Sequence, residues 1–223
     1  MENGERIDEI IYPILKDVWG YSDFRPMQRE IIHQIMLNRD LLAILPTGGG
    51  KSICFQVPAL AKRGICIVVS PLIALIKDQV QNLKKLNIKA LSVHSGMSYR
   101  EVDIALDNAI YGNYKFLYLS PERLNTQLFR ARVSRMDVSM IVVDEAHCIS
   151  QWGYDFRPDY LTISQIKSEV ARNRRDVDSE FIPHDVPIIA LTATATEKVA
   201  DDICDRLSFA SKNIIRSGFD RPN

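Results

Sequence analysis

Seven short runs of apolar residues recur along the chain, and they alternate with segments of helical periodicity. Most of these runs are apolar at every position, which is typical of parallel strands covered on both faces. The predicted strands are residues 41–45, 65–69, 89–93, 115–119, 140–143, 188–191 and 213–216.

Helical patterns fill the intervals. Apolar residues within 7–18 recur every three to four positions, and Gly20 can close that helix. A second apolar stripe covers 72–83, and Ser98 with Glu101 fits a capping box that begins a helix extending through residue 110. The alternation predicts an α/β domain with a mostly parallel central sheet of about seven strands and helices on both faces.

Residues 171–187 depart from this pattern, because they are polar, charged and unperiodic. The stretch is interpreted as a long surface loop. Its sequence RNRR is consistent with a basic contact, but a solvated helix end is the favoured interpretation.

Composition limits the function classes. The 223 residues can form one large domain or two small ones. Lysine plus arginine (28) balances aspartate plus glutamate (28), so any contact with nucleic acid must come from a local patch.

The cysteines and apolar runs add further limits. Four cysteines lie apart with no CxxC or Cys/His cluster, which argues against zinc and favours an intracellular protein. The longest apolar run, residues 64–76, is too short for a membrane span and is interrupted by Pro71. The charged N-terminus does not resemble a signal peptide, so no membrane partner is expected.

The segment ILPTGGGKS (44–52) predicts a phosphate site, since it lies between a predicted strand and a helical run. Its three glycines let backbone amides surround an anion, and the helix N-terminus adds partial positive charge. Lys51 would reach the β- and γ-phosphates, and the Ser52 hydroxyl would bind Mg²⁺. Leu45 occupies the place of the first glycine of the general motif, and an unliganded glycine loop is the alternative.

The segment MIVVDEAH (140–147) supplies carboxylates at the end of another predicted strand. Asp144 would hold Mg²⁺, usually through water, and Glu145 would orient or deprotonate the attacking water. A solvated strand end is the alternative. His147 is expected to be a coupling residue of this site. It is not expected to be a metal ligand, because no second His or Cys lies at ligand spacing.

Several motifs in order resemble superfamily 2 helicases: PTGGGKS, DEAH and LTATAT (191–196). Two segments narrow the resemblance to the RecQ family of DNA helicases: residues 15–32, which precede the phosphate loop, and the aromatic-rich stretch after DEAH. SPLIALIKDQ (70–79), HSG (94–96) and SPERL (120–124) extend the resemblance over essentially the whole chain. It implies a RecA-like P-loop domain that binds ATP and Mg²⁺.

The resemblance also assigns roles within the nucleotide site. Gln28 would read the adenine edge with both amide functions, and Arg25 would pack near the base. Thr192 and Thr194 would link nucleotide state to domain movement, although threonines at a strand end also cap helices. The implied nucleotide-binding set is Arg25, Gln28, Thr47, Gly48, Gly49, Gly50, Lys51 and Ser52.

Residues 148–160, here called the aromatic loop, would sense single-stranded DNA. Trp152 and Phe156 offer faces for base stacking, and Arg157 can contact phosphate or the acidic site. The alternative is that these aromatics belong to the core or to a protein interface. Tyr154 stands where the family usually has histidine, and it cannot become cationic near neutral pH.

Further DNA contacts are implied at the ends of predicted strands, where ligands collect in open α/β sheets. They are Ser70, Pro71, His94, Gly96, Ser120 and Arg123.

The resemblance implies three parts: a helical segment with the adenine-reading motif (1–38), the first ATP-binding lobe (39–216) and the start of a linker (217–223). The second RecA-like lobe, with its arginine finger, is expected elsewhere in the parent chain. The expected function is ATP-dependent 3′–5′ unwinding of DNA, with single-stranded and duplex DNA as partners. An RNA helicase or remodelling ATPase, and a nucleotide-gated module without catalysis, remain open. The location would be the cytoplasm of a bacterium or the nucleus of a eukaryote.

Overall fold

The computed structural model describes residues 2–153, 155–177 and 186–217. Within them, seven strands form one sheet, which confirms the seven predicted runs. Their bounds are β1 Leu41–Ile44, β2 Ile65–Val69, β3 Ala90–Val93, β4 Phe116–Leu119, β5 Val138–Val143, β6 Ile188–Thr192 and β7 Ile214–Arg216. The helices are α1 Glu2–Trp19, α2 Gln28–Met36, α3 Lys51–Ala61, α4 Ile73–Lys85, α5 Tyr99–Tyr111, α6 Gln127–Val133, α7 Ile163–Val177 and α8 Glu197–Arg206.

The sheet is parallel throughout, with the strand order β3-β4-β2-β5-β6-β1-β7. Alternate residues of β1 enter different cores: Leu41 and Ala43 join α2, α3 and α4, whereas Leu42 and Ile44 join α5 to α8. Both faces of the sheet are therefore covered, as the continuous apolar runs predict.

Helix α1 forms a smaller cluster with α2 and α3. Its stripe of Ile7, Ile11 and Leu15 packs against Ile32 and Val57. The amide of Gly20 closes the helix by donating to the Lys16 carbonyl at 2.9 Å, and Gly20 has φ 73. A left-handed residue at this position is a common helix end, so the predicted stop is confirmed.

The capping box of α5 is also confirmed. The amide of Glu101 donates to the Ser98 hydroxyl at 3.3 Å, and the amide of Ser98 donates to the Glu101 carboxylate at 2.8 Å. Two amides that the helix leaves unbonded are thereby satisfied.

The loop prediction for residues 171–187 is wrong over its first part, because α7 continues to Val177. Ile163, Ile166 and Val170 anchor the helix in the core, and the polar residues after them extend a helix that is already formed. The RNRR run therefore lies within α7. Residues 178–185 are outside the described part of the chain. Among the helices that are described, none combines the length and apolar character needed to cross a bilayer.

Candidate nucleotide and nucleic-acid site

Because the seven strands are parallel, their carboxyl ends share one edge of the sheet, and the predicted site residues follow them there. The phosphate loop follows β1, the DEAH turn follows β5, and Thr192 ends β6 between them. Candidate DNA contacts follow β2, β3 and β4 on the other half of the sheet. The nucleotide half and the DNA half meet where β2 pairs with β5.

The phosphate loop is a tight turn that depends on glycine. Gly48 and Gly50 have φ 77 and 74, in the left-handed region that residues with a Cβ rarely adopt. A Cβ at Gly49 would lie 2.9 Å from the Pro46 carbonyl oxygen, and one at Gly50 would clash with the Gln28 side chain. Lys51 is the first residue of α3, so its backbone lies at the positive end of the helix dipole.

Arg25 and Gln28 contact this loop directly. The Arg25 guanidinium donates to the Gly48 carbonyl at 2.6 Å, and the Gln28 amide nitrogen donates to the Gly50 carbonyl at 3.1 Å. The Gln28 oxygen accepts from the Arg25 backbone amide at 2.8 Å. In this conformation Gln28 is buried with both amide functions bound to the chain. Reading of adenine by Gln28 stays a prediction, and it requires these bonds to be exchanged.

Asp144 is fixed on three sides. Its backbone amide donates to the Val69 carbonyl at 2.8 Å, the Ser70 hydroxyl donates to its carboxylate at 3.1 Å, and the Glu145 amide donates to the other carboxylate oxygen at 3.0 Å. Burial, and then the charge of Glu145, raise the pKa of Asp144, whereas Ser70 and Lys51 act in the opposite direction. Ser70, a candidate DNA contact, is thus hydrogen-bonded to Asp144, a candidate Mg²⁺ ligand.

Glu145 adopts a left-handed backbone conformation, with φ 49 and ψ 48. That conformation is uncommon for a residue with a Cβ, and such strain clusters at functional sites. Its carboxylate lies 3.3 Å from Nδ1 of His147. The hydrogen bond to His147 lowers the pKa of Glu145, and the charge of Lys51 lowers it further.

His147 connects the DEAH turn to β6. Its Nδ1 lies 3.1 Å from the hydroxyl oxygen of buried Thr192, which donates to the Thr194 carbonyl at 3.1 Å. Hydrogen bonding to the Cys148 side chain and to Glu145 raises the pKa of His147 to about 10. Thr196 provides the cap of α8, so Thr192 and Thr194 do not act as its cap. Coupling by these two threonines stays a prediction.

The aromatic loop folds back on the DEAH turn. A Cβ at Gly153 would lie only 2.5 Å from the His147 carbonyl oxygen, so this close approach requires glycine. Trp152 is 63% exposed, which argues against a core role for it. Arg157 pairs with Asp155 at 3.0 Å and donates its backbone amide to Cys148.

Tyr160 has a different place from the other aromatics in this segment. Its ring is fully buried, and its hydroxyl donates to the Asp144 backbone carbonyl at 3.3 Å. The core interpretation is therefore right for Tyr160, and its hydrogen bond helps to hold the backbone of the acidic turn. Tyr154, whose effect the sequence leaves open, lies outside the described residues.

Sequence reasoning missed the contacts that α8 makes with the aromatic loop. Lys198 lies over the ring of Trp152, and Asp202 accepts a hydrogen bond from Ser150. Lys198, Asp202 and Arg206 recur every four residues, so the sequence places them on one helix face. It contains no signal for which segment that face would contact.

The remaining DNA candidates lie around the ends of β2, β3 and β4. Arg123 donates to the His94 carbonyl at 2.8 Å, and the imidazole Nδ1 of His94 contacts the Ser95 carbonyl at 2.7 Å. The Ser120 hydroxyl donates to Glu122 at 2.6 Å. Gly96 is exposed with φ 89, and Pro71 is half-buried beside Ser70. The fold therefore brings the predicted set to one edge of the sheet.

Sheet topology, phosphate loop and DEAH turn together are those of a RecA-like lobe, and the comparisons give the family. The chain belongs to the DEAD/DEAH box helicases, whose family model matches residues 25–203. Within that family it is similar to RecQ proteins, which confirms the resemblance noted in the sequence. It is 44% identical over 212 residues to the ATP-dependent DNA helicase RecQ of Bacillus subtilis (strain 168), covering 94% of this chain and 34% of that protein.

Two further comparisons qualify this relationship. A relative in Acanthamoeba polyphaga mimivirus, named as an ATP-dependent RNA helicase, is 42% identical over 94% of this chain and 36% of its own length. The Pyrococcus furiosus Hef helicase domain superposes with a TM-score of 0.66 at 22% identity, over 93% of this chain and 40% of that chain, and shows the shared fold. The chain spans about a third of the length of the curated relatives named here.

Proposed function

We propose that this chain is the first motor lobe of an ATP-dependent DNA helicase, in which hydrolysis is coupled to movement along single-stranded DNA. One observation carries the proposal: the phosphate loop after β1 and the acidic turn after β5 lie at the same edge of the parallel sheet, with β6 between these two strands. The phosphate loop and the acidic turn therefore face one site, although they are about ninety residues apart in sequence. The aromatic loop begins directly after that turn, so the DNA contact lies beside the hydrolytic residues.

Mg²⁺ fits this donor set. Magnesium in nucleotide sites is held by one or two protein oxygens together with phosphates and water, and Ser52 and Asp144 supply a hydroxyl and a carboxylate oxygen. In the described part of the chain, no group of three or more His, Cys, Asp or Glu side chains is arranged to hold a metal ion by itself. When bound, Mg²⁺ would neutralise phosphate charge, while Lys51 holds the phosphates and Glu145 orients the attacking water.

The second RecA-like lobe belongs to the same proposal. An arginine finger contributes a factor of about 10³–10⁵ to the rate of other nucleotide hydrolases. We therefore expect the 223-residue chain alone to bind Mg-nucleotide weakly, to hydrolyse it slowly and not to unwind DNA. The 3′–5′ direction rests on the similarity to RecQ proteins.

The first experiment is steady-state ATP hydrolysis by the full-length protein, without nucleic acid and with single-stranded DNA or single-stranded RNA. Stimulation by DNA that is lost in Trp152→Ala and Phe156→Ala variants supports a DNA motor controlled through the aromatic loop. Each ring is expected to contribute about 1–3 kcal/mol of stacking per base. Turnover that neither nucleic acid changes would contradict the proposal.

An RNA helicase is the second candidate, and the mimivirus relative favours it, since its name and its 42% identity point to RNA. Stacking on an aromatic ring does not distinguish DNA from RNA, because every base has a flat face. Stimulation by RNA but not DNA in the same assay would establish this candidate and overturn the first.

A further inference from the structure

One face of α8 contacts the aromatic loop through three residues, Lys198, Asp202 and Arg206, here called the α8 face. Because they are four residues apart, they lie one above another on the helix. The ammonium of Lys198 lies 3.3 Å from the centroid of the Trp152 ring, and the guanidinium of Arg206 lies 5.8 Å from that of Phe156. Each ring that is predicted to stack on DNA therefore has a cation from this helix beside it.

Asp202 ties the loop backbone to the same face. One carboxylate oxygen accepts from the buried Ser150 hydroxyl at 2.6 Å, and the other accepts from Arg206 Nε at 2.8 Å. The Ser150 oxygen in turn accepts the backbone amide of Trp152 at 3.2 Å. Asp202 thus fixes the start of the loop and the orientation of Arg206 through a single carboxylate.

These contacts leave Trp152 largely available to a ligand. The residue is 63% exposed although a cation lies against its ring. An exposed tryptophan with no such contact would sample several rotamers, and ordering it on binding would weaken affinity. A ring that is held in advance avoids this loss.

The α8 face also lies next to the nucleotide side of the fold. Helix α8 begins at the Thr196 cap, four residues after Thr192, and it packs against the turn of residues 146–149. Ser150 follows that turn directly. A shift of the loop on α8 would therefore also displace the DEAH turn.

Building on the proposed DNA-dependent activity, we propose that the α8 face is a positioning surface for the aromatic loop. Lys198, Asp202 and Arg206 hold the rings of Trp152 and Phe156 in an orientation ready for stacking on single-stranded DNA. In this role they act through the rings, and the DNA phosphates are not their partners.

Asp202→Ala tests the inference, because charge and positioning predict opposite changes in DNA affinity. Removing a negative charge should tighten DNA binding if charge alone matters. Loss of positioning should instead raise the single-stranded DNA concentration that half-saturates ATP hydrolysis of the full-length protein, by about five- to tenfold. Asp201→Ala is the matched control, since it makes the same charge change on the next residue, which pairs with Lys212 and not with the loop.

Ser150→Ala provides a second variant, because it breaks the same link from the loop side without changing any charge. We expect it to raise the half-saturating DNA concentration as Asp202→Ala does, with both variants retaining the far-ultraviolet spectrum of the folded protein. If Asp202 acted only through its charge, Ser150→Ala would leave the concentration unchanged.

Trp152 itself reports the positioning without DNA. The chain has two tryptophans, so a Trp19→Phe background leaves Trp152 as the sole tryptophan of the 223-residue chain. In that chain, Lys198→Met should increase quenching of Trp152 fluorescence by acrylamide, whereas Lys212→Met should not.

The outcomes separate this inference from the proposed function. A wild-type protein that DNA does not stimulate would overturn both. Normal stimulation with Asp202→Ala indistinguishable from Asp201→Ala would overturn only the α8 face. If Lys198→Met instead reduced the salt dependence of DNA binding by about one unit of slope, Lys198 would be a phosphate contact and the positioning role would be wrong.

Discussion

The hydroxyl oxygen of Thr192 lies 3.1 Å from Nδ1 of His147, and this contact joins the end of β6 to the DEAH turn after β5. The threonine hydroxyl donates to the Thr194 carbonyl, so its oxygen is left to accept from the imidazole. The resulting series of hydrogen bonds runs from His147 through Thr192 to the segment that leads into α8. It connects the acidic turn with the helix that contacts the aromatic loop.

Thr192→Val should interrupt this series of hydrogen bonds with little change in side-chain volume. The variant removes the buried hydroxyl that lies between His147 Nδ1 and the Thr194 carbonyl, while the Glu145 carboxylate remains 3.3 Å from Nδ1 as an acceptor. We expect DNA-stimulated ATP hydrolysis to fall while Mg-nucleotide affinity, measured by calorimetry, stays near that of the wild type. Thr196→Ser, which keeps the cap of α8, is the control. Unchanged stimulation in Thr192→Val would remove the coupling role.

The ionisation of His147 gives a prediction in pH. Its pKa in the folded chain is raised to about 10 by hydrogen bonding to Cys148 and Glu145, above the value of about 6.5 expected when unfolded. The protonated imidazole therefore stabilises the fold fully below pH 6.5, and this contribution is lost as the pH rises toward 10. The difference in melting temperature between wild type and His147→Gln should shrink over that range. An imidazole that titrates near pH 6.5 by NMR would contradict the expectation.

The strands could be predicted from sequence because buried parallel strands are apolar at every position, as Ile65–Val69 illustrates. The extension of α7 to Val177 could not, since its polar residues continue a helix anchored by upstream contacts. Lys51 and Asp144 were predictable because their chemistry requires a strand end. The contact between Asp202 and Ser150 was not, because it joins polar residues 52 positions apart without any periodic signal.

Glu145→Gln tests the hydrolytic assignment while preserving the size of the side chain. The amide cannot act as a base, so kcat should fall by about 10²–10⁴-fold. Nucleotide binding should persist, because Lys51 and the phosphate loop are unchanged. Steady-state kinetics of the full-length protein, together with nucleotide affinity, would measure both. A modest loss of kcat would mean that another group positions the water.

Lys51→Ala distinguishes a motor from a nucleotide-gated module without catalysis. In the full-length protein it should abolish turnover, since the lysine is the residue expected to hold the β- and γ-phosphates. Lys77→Ala, at an exposed position on α4, is the control and should hydrolyse ATP at the wild-type rate. Complementation of a helicase-deficient strain by the Lys51→Ala protein would favour the module.

Gly153→Ala tests the fold of the aromatic loop on the DEAH turn. The added Cβ would lie 2.5 Å from the His147 carbonyl oxygen and 3.1 Å from that of Ser150, so the backbone must move away from the turn. We expect the loop to lose its orientation and DNA to lose most of its effect on ATP hydrolysis, with a smaller effect on turnover without DNA. Gly4→Ala is the matched control, because its Cβ would make only ordinary contact with His33 at 3.8 Å. Normal DNA stimulation in Gly153→Ala would show that the loop signals to the site without this close approach.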